Sequence, residues 1–256
     1  MSISGYSEFE VDIERVLREQ LPIFFEDISP AALTLENIEK LPPEGKGAYL
    51  LLYDDLPVYA GKTDYRHGFK SRLNRHFKSV QDRRNLDPLK VSFKAVRIFV
   101  FSALDVESIV IEELRKINKD WLKWNFSGFG SNDPGRKREG QEPAKFDVDY
   151  PIDVMKSLPY ISKGSYLVAE VLTILKDNLP YLLRWQSKPK GRSGHDDFHE
   201  THVEFHENGM TVLGVMKSIV DALPGNTWQA TVFPGRIILY KATKDYEFTQ
   251  HIIKKS

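Results

Sequence analysis

Two tyrosines sit ten residues apart in tripeptides of mirrored order, Gly47-Ala48-Tyr49 and Tyr59-Ala60-Gly61, and Lys62 follows the second directly. Downstream come Arg72 and His76, four residues apart, then Glu107 and then Asn125. Phenols and imidazoles hold and pass protons, and a guanidinium offers a fork of donors that fits a phosphate. Residues 66–84 are strongly basic, with Arg66, Lys70, Arg72, Arg75, Lys78, Arg83 and Arg84. Such a strip is what phosphate binding looks like; it is equally what a solvated helix face looks like.

The elements that position these groups follow from periodicity. Residues 47–53 (GAYLLLY) predict a buried strand, Asp54 and Asp55 a turn, and residues 58–61 a short return strand that Pro57 opens. Alternation puts Tyr49, Leu51 and Tyr53 on one face, and a tight turn brings Tyr59 to that face as well, with the lysine beside them. Gly61 leaves room for a close approach. The same stretch also reads as a core hairpin with packed tyrosines. Residues 69–80 have helical spacing, with Phe69, Leu73, Phe77 and Val80 inward and Arg72 and His76 stacked on one face. Residues 90–101 alternate as a third strand. Asp105 caps a helix, VESIVIEELRKIN, with Glu107 in its first turn, where an acid also complements the helix dipole. Upstream, Phe9, Ile13 and Val16/Leu17 predict an amphipathic helix over 6–20. Residues 21–46, with Pro22, Pro30, Pro42 and Pro43, read as loop-rich. Residues 121–138 form a Gly-rich, aromatic loop that ends in Arg136, Lys137 and Arg138.

The chain has 256 residues, room for one large or two small domains. Thirty-six basic and thirty-six acidic residues cancel, which counts mildly against a nucleic-acid binder, although local patches matter more. The absence of cysteine excludes disulfides and thiolate zinc sites and fits a reducing cytoplasm. No apolar run is long enough for a membrane span, and the polar N-terminus does not read as a signal peptide.

Residues 151–256 form an additional α+β unit. A helix is expected over 165–178 and a polar loop over 186–199. HVEFHENGMTVLGV reads either as a hairpin around Asn208–Gly209 or as a helix over 211–223. TWQATVFPGRIILYKAT reads as a hairpin turning at Pro234–Gly235. His195, His199, His202 and His206 read either as an exposed polar strand or as a structural metal site. Lys188, Lys190, Arg192 and Trp228 are candidates for contact with DNA, modified bases or a partner, or simply a solvated loop.

Over residues 45–135, about a third of the chain, the ordered set resembles the GIY-YIG nuclease superfamily. LPVYAGK, RLNRH, the NLD triplet at 85–87 and WN…GFG…PG over 124–135 resemble its type II restriction endonuclease branch. Alanine stands in the middle of both tripeptides, and the helix between Glu107 and Asn125 is longer than in the pattern. Glu112 and Glu113 are therefore rivals to Glu107, which is preferred because Val110, Ile111 and Leu114 then face the core. The resemblance implies an α/β chain of the α+β kind. A small antiparallel three-stranded sheet flanked by helices forms a nuclease domain over 1–150 with an N-terminal helical extension, and residues 151–256 follow. It implies hydrolysis of DNA phosphodiester bonds with Mg²⁺ or Mn²⁺ and seven catalytic residues: Tyr49, Tyr59, Lys62, Arg72, His76, Glu107 and Asn125. Glu107 would hold the metal, Arg72 the phosphate, and Tyr49, helped by Lys62 or the metal, would activate water. Tyr59 and His76 would orient the nucleophile or phosphate, and Asn125 would support the site. Arg66, Lys70, Arg75, Arg83, Arg84, Arg136, Lys137 and Arg138 are the expected contacts to double-stranded DNA, which a homodimer or transient dimer would cut on both strands. A repair or mobile-element nuclease, a non-catalytic DNA-binding module and a protein scaffold are the competing readings.

Overall fold

A computed structural model describes residues 5, 12–42, 45–63, 67–99, 105–130, 140–188, 194–242 and 244–255. They divide into two units, the first ending at Phe126 and the second taking in residues 78–87 and 127–256. The expected boundary at 150 therefore moves, and local pairing is the reason. Arg83 bridges to Ile152, the Arg84 amide donates to the Pro151 carbonyl, and the Asp153 amide donates to the Asp82 carbonyl.

In the first unit the elements run α1 (Ile13–Asp27), β1 (Ala31–Ala32), α2 (Leu35–Glu39), β2 (Gly47–Tyr53), β3 (Leu56–Lys62), α3 (from Phe69; the helix runs to Val80), β4 (Val91–Arg97) and α4 (Val106–Ile117). The sheet is antiparallel in the order β1-β4-β2-β3. It is four-stranded rather than three-stranded, the addition being the two-residue β1 on the edge. Asp54 and Asp55 both take left-handed backbone (φ 49° and 62°), which suits a two-residue hairpin of type I′. The return strand starts at Leu56, earlier than expected, because a bulge between Leu51 and Leu52 absorbs Pro57 into the edge strand.

The N-terminal helix runs on through Pro22 to Asp27, where a loop was expected. A mid-helix proline costs about 3 kcal/mol. Leu21 and Phe25, both buried and one turn apart, offset that cost by packing with Val110, Ile111 and Leu114 of α4 against Ala48, Leu50 and Leu52. Asp12 caps the helix through the Arg15 amide at 2.9 Å. Phe9 and the rest of 6–11 lie outside the described residues.

In the second unit the elements run α5 (Lys145–Asp149), β5 (Gly164–Leu167), α6 (Val168–Asn178), β6 (Leu182–Trp185), α7 (Asp196–Glu200), β7 (His202–Phe205), α8 (Val212–Ala222), β8 (Trp228–Phe233), β9 (Arg236–Lys241) and β10 (His251–Lys254). One sheet has the order β10-β8-β9-β6, with β6 parallel to β9, and β5 pairs separately with β7. The hairpin at Pro234–Gly235 and the helix reading of 211–223 hold. The first turn expected of the 165–178 helix is instead strand, because β5 finds β7. The expected loop over 186–199 contains most of α7. No helix among the described residues is long and apolar enough to cross a membrane.

Candidate active site

The register of the hairpin builds the site. Tyr49 faces Gly61 across β2 and β3, and Leu51 faces Tyr59, so both phenols share one face of the sheet. A Cβ at Gly61 would come within 2.5 Å of the Tyr49 ring carbon Cζ and hydroxyl and 2.8 Å of the Tyr59 ring. Glycine there is what lets the two rings lie 6.2 Å apart. Helix α3 covers this face. Phe69 meets Tyr49 edge-on at 6.4 Å, Leu73 is fully buried, and His76, one turn further on, places Nε2 2.8 Å from the Tyr49 hydroxyl. The His76 and Tyr59 rings lie 4.9 Å apart.

Burial sets the electrostatics. Tyr49 is 1% exposed and His76 3%. Desolvation drives the Tyr49 phenol far above its ordinary pKa, with the neighbouring Tyr59 adding and Arg72 opposing. Tyr59, partly exposed, is raised by desolvation and by the Glu107 charge, whereas Arg72 and its hydrogen bond with Tyr49 pull it back. That bond raises Tyr49 and lowers Tyr59. The direction of the His76–Tyr49 bond follows the histidine tautomer. His76 is pushed down to about 3 by desolvation and by the charges of Arg75 and Arg72, so it is neutral at physiological pH.

Glu107, partly buried in the first turn of α4, has its carboxyl raised by desolvation, with Lys62 opposing. Its charge reaches both tyrosines, and Arg72 acts on it in turn. The rivals are engaged elsewhere. Arg18 bonds Glu112 at 2.7 Å and Glu113 at 3.0 Å, and Lys116 holds Glu113 at 2.7 Å.

Lys62 departs from expectation. Its register partner is Ala48, one step off the tyrosine face, and its ammonium lies 2.7 Å from Asp105. Arg72 acts on both phenols, and Arg75 acts on Tyr59 as well. Asp105, read from the sequence only as a cap, makes no capping bond; it binds Lys62 and Ser108 instead. An aspartate one residue before an N-terminal helix run is so ordinary a cap that nothing in the sequence marks this pairing.

Asn125 is a clamp. Its side chain accepts from the Ala60 amide and donates to the Ala60 carbonyl, both at 2.8 Å. Together with the Leu122 and Trp124 amides, which donate to the carbonyls of Pro57 and Val58, it closes the open edge of β3. Asn125→Ala is expected to leave two buried backbone groups unpaired and to lower stability by about 2–3 kcal/mol. Urea unfolding checks this, and a midpoint unchanged from the parent chain would refute it.

The expected DNA contacts divide. Arg75 acts electrostatically on His76 and Tyr59, Lys70 pairs with Glu39, and Arg84 is exposed. Arg83 is not presented to a ligand. Its buried guanidinium bonds Asp147 at 2.7 Å and the Tyr150 carbonyl at 2.9 Å, which makes it a support of the second unit. Arg66, Arg136, Lys137 and Arg138, together with Lys190 and Arg192, lie outside the described residues. Trp228 is wholly buried and donates to Asp197, so it reads no ligand; Lys188 pairs with Asp196. His195 caps α7, its ring nitrogen accepting from the Asp197 amide.

Among the described residues no group of three or more histidines and acids gathers to hold a metal by itself. A single carboxylate whose charge burial disfavours still suits Mg²⁺, which keeps several waters and shares its remaining positions with substrate phosphate. No family model matches the chain, and no curated protein matches it.

Proposed function

We propose that the first unit hydrolyses DNA phosphodiester bonds with Mg²⁺ or Mn²⁺ and that the chain acts as a restriction-type endonuclease. One observation carries this reading: two phenols and a neutral imidazole pack together on one sheet face, and the charges of Arg72 and Glu107 act on both phenols. Tyr59 takes the water-activating part first expected of Tyr49, because it is the less buried phenol and the Arg72 and Arg75 charges both lower its pKa. The Tyr49–Tyr59 hydrogen bond and the Arg72 charge both oppose the burial that raises the Tyr59 pKa. Arg72 adds charge of the right sign, and phosphate bound to it loads the same end of the site. Tyr59 first loses its phenolic proton to solvent, a loss that Arg72 favours and burial opposes; water then attacks phosphorus and gives its proton to the Tyr59 phenolate. The P–O bond to the leaving sugar oxygen breaks, and that oxygen takes a proton from solvent. Glu107 would hold the divalent ion, which supplies positive charge to the phosphate oxygens when bound. Asn125 fixes the strand that carries Tyr59.

One such site per chain cuts one strand, so a double-strand break needs two copies or two successive nicks. The test is incubation of the purified chain with plasmid and phage DNA, unmodified and base-modified, with Mg²⁺ and with EDTA, followed by end sequencing. The expected result is metal-dependent cutting with ends at one sequence. DNA that stays intact in every arm would end the proposal.

A further inference from the structure

Phe126 at 84% exposure and Phe99 at 75% are the most exposed phenylalanines among the described residues of the first unit, and each carries a guanidinium on its ring. Arg97 lies 4.6 Å from the centre of the Phe99 ring, and Arg115 lies 5.5 Å from that of Phe126. Singly exposed apolar residues are ordinary, but three further observations set these apart. Phe126 takes left-handed backbone at φ 64°, which a bulky side chain avoids unless its surroundings impose it. The imposition is visible: the adjoining Asn125 is clamped to Ala60, and Trp124 to Val58, in the strand that carries Tyr59. Arg97 pairs with Gly47 as Ala95 pairs with Tyr49, so Arg97 leaves the sheet on the tyrosine face, beside the first tripeptide.

Resting on the nuclease reading above, we infer that Phe99 and Phe126 are base-stacking contacts that wedge into duplex DNA beside the scissile phosphate. Arg97 and Arg115 bind the adjoining backbone. An aromatic face accepts any base, and an arginine beside it meets phosphate or stacks in turn. Arg115 lies eight residues along α4 from Glu107, about 12 Å at 1.5 Å per residue, or roughly three to four base pairs of duplex. The Arg115–Phe126 pair therefore meets DNA a few base pairs from the cut, and the Arg97–Phe99 pair beside it.

The experiment uses the full chain in EDTA, so that no strand is cut. The probe is a duplex of the cleaved sequence, or a random-sequence duplex if none is cut, carrying 2-aminopurine at successive positions. The parent chain is expected to raise fluorescence, by unstacking, beside the cut and about three to four base pairs from it. Phe99→Ser and Phe126→Asn should each weaken binding about tenfold and silence their own position, with the salt slope unchanged. Both changes are at exposed positions and asparagine tolerates left-handed backbone, so melting temperatures should match the parent. Arg97→Gln and Arg115→Gln should instead lower the salt slope, by about one each. Full affinity in both phenylalanine variants, a silent probe throughout, or loss of self-association in place of DNA binding would each overturn the inference. A parent chain that binds and cuts DNA while the variants behave like it refutes the stacking contacts alone. A parent chain that binds no duplex at low salt removes the nuclease reading and this inference together.

Discussion

Glu107→Gln is expected to bind duplex DNA as the parent does and to cut it about 10³-fold more slowly, or worse. The amide keeps the shape of the side chain and its place in the first turn of α4. It removes a negative charge that reaches both phenols. Binding should survive, because the groups expected to meet phosphate are Arg72, Arg75 and their basic neighbours rather than an acid. Glu112→Gln and Glu113→Gln are the controls. Their carboxylates belong to Arg18 and Lys116, so those variants should loosen the contact of α1 with α4 and leave the chemical step alone. Single-turnover cleavage at saturating protein, with a gel-shift titration beside it, separates binding from chemistry. A Glu107→Gln chain that cuts at the parent rate, or a Glu113→Gln chain that does not cut, would move the metal-holding role elsewhere. A pH consequence follows. Burial raises the Glu107 carboxyl above its ordinary 4.5, so cleavage should fall as pH drops through that raised value. Lys62→Ala removes a charge that favours the carboxylate and should move the fall to higher pH.

Local rules account for much of this architecture. The helix Phe69–Val80 has the expected ends because Phe69, Leu73 and Val80 mark its inner face at helical spacing, and Asp54–Asp55 declare their turn. The shared face of Tyr49 and Tyr59 follows from strand alternation and that tight turn. What the sequence hid is non-local. Nothing near Pro22 says that Leu21 and Phe25 will find Val110 and Leu114, about ninety residues away, and carry the helix through the proline. Nothing near Arg83 foretells Asp147, which turns a DNA-contact candidate into a buried support. The bulge at Leu51/Leu52 and the neighbouring proline were unmarked, so the return strand seemed shorter than it is. Lys62 shows a limit of another kind. Adjacency in sequence suggested that it sits with the tyrosines, yet one step along a strand reverses the face, and alternation alone could have shown it. The different burial of the two phenols was not legible either, since it depends on what α3 covers.

Acid should destabilise the parent chain more steeply than a His76→Gln chain, by up to about 1.4 kcal/mol for each pH unit between about 6.5 and 3. The sign follows from proton counting. The unfolded chain protonates this imidazole near 6.5, but the folded chain resists down to about 3, because His76 is buried and faces the charges of Arg75 and Arg72. Between those values the unfolded state binds the extra proton, so stability rises with pH across the window. The contribution is fully present above 6.5 and is lost as pH falls. Glu107 works in the opposite direction. Its folded pKa is raised, so protonation favours the folded state as pH drops through it. The comparison is therefore cleanest in a Glu107→Gln background, where that opposing slope is gone. Arg75→Gln should shrink the effect, since it removes part of the charge that keeps His76 neutral. Gln at 76 can still donate to the Tyr49 hydroxyl, so the hydrogen bond need not be lost with the titration. Urea unfolding at several pH values reads the slope directly. Parallel slopes for His76→Gln and its parent would mean that the imidazole is not held neutral. Arg72 and Arg75 would then face an imidazolium, and the case for Tyr59 as the residue that takes the proton from water would have to be rebuilt around a charged histidine.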